Sequence, residues 1–223
     1  MSDSRVSCSI APIHDRSLLR SSHAKITDSR KNGKMADDLK RAVVWKNLLL
    51  NGVDYCALWH TTEGWLLKGT VVGVLNDQRP TFAHYEIYCD DNWLTHRVQV
   101  ERTIGNDVKS LSLTVESRGV WRSSNQELRE IRGCNDVDLA LTPATNTLPI
   151  RRLSLKIGSS ESVIAAWIQF PELAVQPLSQ RYTRLTKDTY RYQTNTGFSA
   201  EIAVDDLGLV TAYPGGWERI GTV

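Results

Sequence analysis

From Arg41 onward the chain alternates apolar and polar residues with a period of two, the signature of half-buried strands. Val98 and Val100 alternate with Arg97, Gln99 and Glu101, and Leu111, Leu113 and Val115 with Ser110, Ser112, Thr114 and Glu116. Val137, Leu139 and Leu141 alternate with Asp136, Asp138 and Ala140, and Phe198, Ala200, Ile202 and Val204 with Ser199, Glu201 and Ala203. Turn chemistry breaks the pattern at Asn51-Gly52, Glu63-Gly64, Asn76-Asp77, Gly105-Asn106-Asp107, Gly158-Ser159-Ser160 and Asp205-Asp206-Leu207-Gly208. The breaks fall at the roughly 8–12-residue spacing of sandwiches and barrels. Short connections favour antiparallel neighbours, because parallel strands need long crossovers. So many strands rarely stay in one flat sheet. The expected fold is all-β: a many-stranded antiparallel β-roll or partly open barrel with few or no helices. Larger barrels enclose ligand cavities. At the start of the pattern a short amphipathic helix at 36–42 also fits the residues.

With 223 residues, 41% hydrophobic and 23% charged, the chain supports a sizeable core. We expect one domain over 36–223 and a disordered polar tail over 1–35, which has no sustained periodicity. That tail holds eight Ser, seven Lys/Arg and three Asp. The Asp argue against a transit peptide, and Met35 offers an alternative start. The tail carries +4 and residues 36–223 carry −2, so the domain has no basic face for nucleic acid. No apolar run reaches the ~20 residues of a membrane-crossing helix. Cys8, Cys56, Cys89 and Cys134 form no CxxC pair and no closely spaced disulfide framework. With no apolar export segment, these features point to the cytosol. The sequence does not speak to oligomeric state.

The search for catalytic motifs is largely negative. There is no Walker A loop and no GxGxxG, and Gly197-Phe198-Ser199-Ala200-Glu201 lacks the final glycine of a nucleophile elbow. The five His form no HxxxH pair and no zinc spacing with Cys, so neither metal nor cofactor is expected. Asp136 and Asp138 lie two apart on a strand and share a face, roughly 6.6 Å apart at Cα. Such a pair could serve a sugar- or ester-processing hydrolase; as often it is a solvated face or partners nearby Arg. Most of the seven Trp read as core, whereas Trp93 follows Asp90-Asp91-Asn92 at a polar strand end. Cys134–Leu155 reads as a strand, a Thr/Pro/Asn turn and a second strand from near Pro149. Consecutive Arg151 and Arg152 would then face opposite sides of that second strand. An interior Arg there needs a carboxylate, and Asp136 or Asp138 could supply it.

The run Gly133-Cys134-Asn135-Asp136-Val137-Asp138-Leu139 continues with Thr142-Pro143, Thr145-Asn146 and Leu148-Pro149-Ile150-Arg151-Arg152-Leu153. Phe170-Pro171-Glu172-Leu173, Gln180-Arg181-Tyr182, Tyr190-Arg191-Tyr192, Gly197-Phe198, Asp205, Gly208-Leu209-Val210 and Tyr213-Pro214 follow in order. Upstream, Trp45 through Trp93 joins them, with Tyr85 and Cys89-Asp90. Together these resemble a bacterial family named for glycolipid binding, over residues 40–220. One departure is Ala144, where the family pattern has an aromatic. The resemblance implies an antiparallel β-roll shaped like the lipoprotein carriers of the bacterial envelope, and it carries no catalytic residues. The leading expectation is non-enzymatic binding of an amphiphile, a glycolipid, with its tail inside the roll. Its head would meet Trp93, Asp136, Asp138, Asn146, Arg151, Arg152, Arg181 and Tyr182. The rivals are the Asp136/Asp138 hydrolase and a structural or interaction domain with a filled core.

Overall fold

The computed structural model describes residues 37–48 and 51–223. The tail expected at 1–35 lies outside them. The chain runs through β1 (Asp38–Asn47), β2 (Gly52–Thr61), β3 (Gly64–Val74), β4 (Pro80–Cys89), β5 (Thr95–Ile104) and β6 (Asp107–Glu116). Short β7 (Val120–Ser123) and β8 (Gln126–Glu127) follow, then β9 (Asp136–Leu139) and a single α-helix, α1 (Thr147–Leu153). The chain ends with β10 (Ser160–Ile168), β11 (Val175–Arg184), β12 (Thr189–Thr194), β13 (Ser199–Val204), β14 (Val210–Tyr213) and β15 (Trp217–Thr222). No described helix is long and apolar enough to cross a membrane.

All fifteen strands belong to one sheet, ordered β8-β7-β6-β5-β4-β3-β2-β1-β15-β14-β13-β12-β11-β10-β9. It is two meanders joined where β1 pairs with β15. The two edges, β8 and β9, are neighbours in sequence. A flat sheet of this size would put them roughly 67 Å apart, at about 4.8 Å per strand. The link from Glu127 to Asp136 can span only about 30 Å. Connectivity therefore forces the sheet to curl, and the expected partly open β-roll follows. The edges meet through single bonds rather than a ladder. Gly133 N donates to Gly119 O (2.9 Å) and Thr95 N to Asn135 O (3.1 Å). The Trp121 indole N–H donates to Cys134 O (2.9 Å).

The alternation maps onto the roll as expected in most strands. Val98, Val100, Leu113, Ile202 and Val204 face the core. Fully burying such a side chain stabilises by roughly 1.5–3 kcal/mol. Three local expectations differ. Residues 38–42 belong to β1, not to a helix, because β1 carries both β2 and β15 and supplies backbone partners to each. β9 runs parallel to β10, the one parallel pair in the sheet, with the long connection through α1 that such a pair requires. Phe198 lies just before β13 and stays 46% exposed instead of facing inward.

The fourth difference is the segment that fills the roll. Every residue from Leu141 to Ile150 is buried. This plug is a turn of 3-10 helix at Ala144–Asn146 followed by α1, where a second strand was expected from Pro149. A strand enclosed on all sides with no neighbour would leave its backbone groups unpaired. A helix satisfies them internally. Pro149 is the third residue of α1, where the missing N–H would have had no intrahelical acceptor anyway. α1 ends at Ser154 in the left-handed conformation (φ 43°, ψ 46°). The surrounding sheet grips the plug from several sides. Thr142 donates to Asp54 of β2, Asn146 Nδ2 to the Tyr182 hydroxyl of β11 (2.9 Å), and Thr147 Oγ1 to Gly208 O (3.0 Å). The plug and the sheet's inner face form one continuous apolar cluster, so the middle of the roll is filled. The space left for a ligand is in clefts, not in the central hollow expected for an amphiphile's tail.

Candidate functional site: an aromatic cleft with a carboxylate

A cleft of about 600 Å³ is the candidate site. It opens between the plug and the second meander. Asp138 (β9) and Asn146 (plug) lie on it, with Trp167 (β10), Tyr192 (β12), Phe198, Tyr213 (β14) and Trp217 (β15). The Phe198 ring sits 6.1 Å from the rings of both Tyr192 and Tyr213. Thr142, Thr194 and Thr196 add hydroxyls. The cleft thus combines apolar walls with a few placed polar groups, as ligand sites do.

Asp138 is positioned by β11 and β12. Gln180 Nε2 donates to its Oδ2 at 2.5 Å and the Tyr192 hydroxyl to the same oxygen at 3.2 Å. Gln180 Nε2 also reaches Tyr192 Oη (3.1 Å), and the Tyr182 hydroxyl, which accepts from Asn146, donates to Gln180 Oε1 (3.4 Å). Gln180, Tyr182 and Asn146 are all buried. Burial pushes the Asp138 carboxyl up to about 6, against the bonds from Tyr192 and Gln180.

Asp136 has a different environment. Arg152 of α1 grips it in a fork, Nε to Oδ1 at 2.9 Å and Nη2 to Oδ2 at 2.5 Å. The expected Arg–Asp pairing is present, but the Arg comes from a helix. Burial raises the Asp136 carboxyl while Arg152 draws it back. With both oxygens occupied, Asp136 does not join Asp138 as a second free carboxylate on the cleft.

Of the eight residues expected at a binding site, Asp138 and Asn146 line the cleft. Tyr182 lies one hydrogen bond behind them, and Asp136 with Arg152 forms the adjoining ion pair. The other three lie off the cleft. Trp93 is buried and stacks on Trp65 (centroids 4.5 Å, planes 18° apart). Arg151 leaves α1 the other way, its guanidinium carbon 5.5 Å from the Trp93 ring and Nη1 donating to Asp206 O at 3.1 Å. Arg181 is exposed and donates to Ser160 Oγ at 2.6 Å.

The residues that sequence reasoning passed over are Gln180 and the aromatic walls. Tyr192, Phe198 and Tyr213 stood inside the recognised motifs, but nothing in their spacing said they converge. Asp54 was also passed over. It is fully buried, with the Tyr85 hydroxyl 3.3 Å from Oδ1 and 3.2 Å from Oδ2, and Thr142 on Oδ2. Tyr85 reaches it because Gly69 has no side chain; a Cβ there would sit 2.2 Å from the phenol ring. Burial raises Asp54 to about 7. Cys89 and Cys134 are pushed up by burial to about 12 and about 11, so neither is a ready nucleophile. No three His, Cys, Asp or Glu among the described residues are grouped to hold a metal.

Known proteins bear on this geometry. A fold comparison matches the crystal structure of a DUF1089 family protein from Pseudomonas aeruginosa with a TM-score of 0.69 and 29% identity, covering 75% of this chain and 92% of that one. No curated protein matches. The family model described as "Putative glycolipid-binding" matches residues 42–219, which take in the plug, the cleft and both meanders. The chain belongs to that family.

Proposed function

We propose that the protein binds an amphiphilic glycolipid without transforming it, with the saccharide head in the cleft against Asp138. The observation that carries this reading is the composition of the cleft. Indole and phenol faces at Trp167, Trp217, Tyr192 and Tyr213 suit the C–H faces of a sugar ring, and Asp138, Asn146 and Thr196 suit its hydroxyls. A volume of about 600 Å³ lies within the range of small-molecule sites. The acyl chain would leave past the exposed ring of Phe198. The family's description supports a binding role. The absence of catalysis is supported by Arg152's hold on Asp136, which leaves Asp138 as the sole ionisable carboxyl on the described lining. A glycosidase of the usual design needs two carboxyls flanking the bond.

Native mass spectrometry of the purified protein, before and after incubation with a bacterial lipid extract, tests the proposal. The expected result is a one-to-one adduct whose extracted ligand is a glycolipid, and whose yield falls in Trp167→Ala. Protein that stays empty in both conditions would overturn it. Turnover of the captured lipid would replace the binder with an enzyme.

A further inference from the structure

Asp54, Asp136 and Asp205 share one property, and the half-buried Asp138 departs from it. Asp136 has both oxygens in the Arg152 fork. Asp54 has a hydroxyl on each oxygen. Asp205 takes Arg41 and Arg219 on Oδ2 and the backbone N–H groups of Leu207 and Leu209 on Oδ1. Asp138 receives both its donors on Oδ2, and Oδ1 has no donor among the described residues. That oxygen is open to the cleft, where a ligand can reach it.

The described lining of the cleft includes no Lys, Arg or His. Asp138 is its one charged residue, and five aromatic rings surround the same space: Trp167, Tyr192, Phe198, Tyr213 and Trp217. Rings attract cations through their negative faces, most strongly where water is excluded. The Phe198 ring, 6.1 Å from both Tyr192 and Tyr213 and 46% exposed, leaves an aromatic bay at the mouth. A phosphate or carboxylate head would meet Asp138 as a like charge with nothing to offset it.

We infer that the ligand head bound in this cleft is cationic: an ammonium, as on an amino sugar, or a quaternary ammonium, paired to Asp138 Oδ1 and enclosed by the rings. This rests on the cleft being the binding site and narrows what it takes. Binding follows the ionised form of Asp138, so it strengthens as pH rises through about 6. The titratable groups around it are Tyr182 on β11, Tyr192 on β12, Tyr213 on β14 and the Asp136–Arg152 pair. All three tyrosines are pushed upward by burial and by Asp138 itself, so they stay neutral across that range.

The test uses three probes with one alkyl chain, so that only the head differs: octyl glucoside, octyl glucosaminide and octyltrimethylammonium. Binding to the full chain is followed by tryptophan fluorescence, which Trp167 and Trp217 report, at pH 7 and pH 5. The expected result is that one or both cationic probes bind roughly tenfold to a hundredfold tighter than octyl glucoside at pH 7, the worth of a charge-assisted contact. The advantage should shrink at pH 5 and vanish in Asp138→Asn. Phe198→Ala, a change at the exposed rim, should reduce the cationic advantage without touching the carboxylate. The tighter of the two cationic probes identifies amino sugar or quaternary ammonium. Octyl glucoside binding as well as the cations, in wild type and Asp138→Asn alike, would overturn the inference and leave the glycolipid reading standing. No binding by any of the three at pH 7 would count against both.

Discussion

Asp54, Asp136 and Asp138 show three ways of holding a carboxylate inside a β-roll, and each makes a different prediction. Asp54 has only hydroxyl partners, so burial dominates and raises it to about 7. An unfolded aspartate titrates near 3.9. Between those values the folded chain keeps a proton that the unfolded chain has released, so stability falls as pH rises and levels off above about 7. Asp138, raised to about 6, contributes in the same direction over a narrower window. Urea midpoints should therefore be lower at pH 8 than at pH 5. Asp54→Asn should flatten the part between pH 6 and 7, where the slope is at most about 1.4 kcal/mol per unit. Paired surface carboxylates such as Asp107, which Arg102 holds below the usual range, act only in more acidic solution. Asp136 behaves as an ion pair. Arg152→Ala should destabilise by about 3 kcal/mol, because it strands a buried charge, and Asp136→Asn added to it should recover most of the loss. Denaturant titration of the single and double variants checks this.

At the scale of elements, legibility tracked exposure. β5, β6 and β13 have one face in water, so their period of two survives in the sequence. The first four residues of α1 have no such face: Thr147, Leu148, Pro149 and Ile150 are all buried. Full enclosure erases the periodicity that separates a helix from a strand, which is why Leu148-Pro149-Ile150 reads as a strand and folds as a helix. Leu148 has no exposure, so Leu148→Ala should cost about 2–5 kcal/mol. Pro149→Ala should cost less than about 1 kcal/mol, since the position needs no donor. Thermal melts of the two variants would separate them by many degrees. The cleft was less legible than the fold for a related reason. Asp138, Tyr192, Phe198, Tyr213 and Trp217 come from four strands and a turn. Their convergence depends on how far the sheet curls, which no local pattern records. Only Asp138 and Asn146 could be picked out beforehand, because they stand in the densest run of motif residues.

At the scale of the whole molecule, β1 is flanked by ladders on both sides, while β8 is a two-residue edge strand. Amide exchange should be slowest in β1, β2 and β15 and fastest in β7 and β8. Exchange measured by mass spectrometry on peptic fragments would show this gradient, and uniform protection would argue against it. The filled roll also constrains time. Leu141–Ile150 is gripped by β2 and β4 on one side and by β11 and the β13–β14 turn on the other. A buried segment with the sheet on several sides docks most readily before the sheet has wrapped around it. We expect assembly in sequence order: the first meander forms, the plug collapses onto it, and the second meander wraps over both until β15 meets β1. Substitutions in the plug should therefore slow folding, whereas those at the β1–β15 seam should mainly speed unfolding. The ten buried residues that look least like a β protein are then the surface on which the later half of the roll is cast.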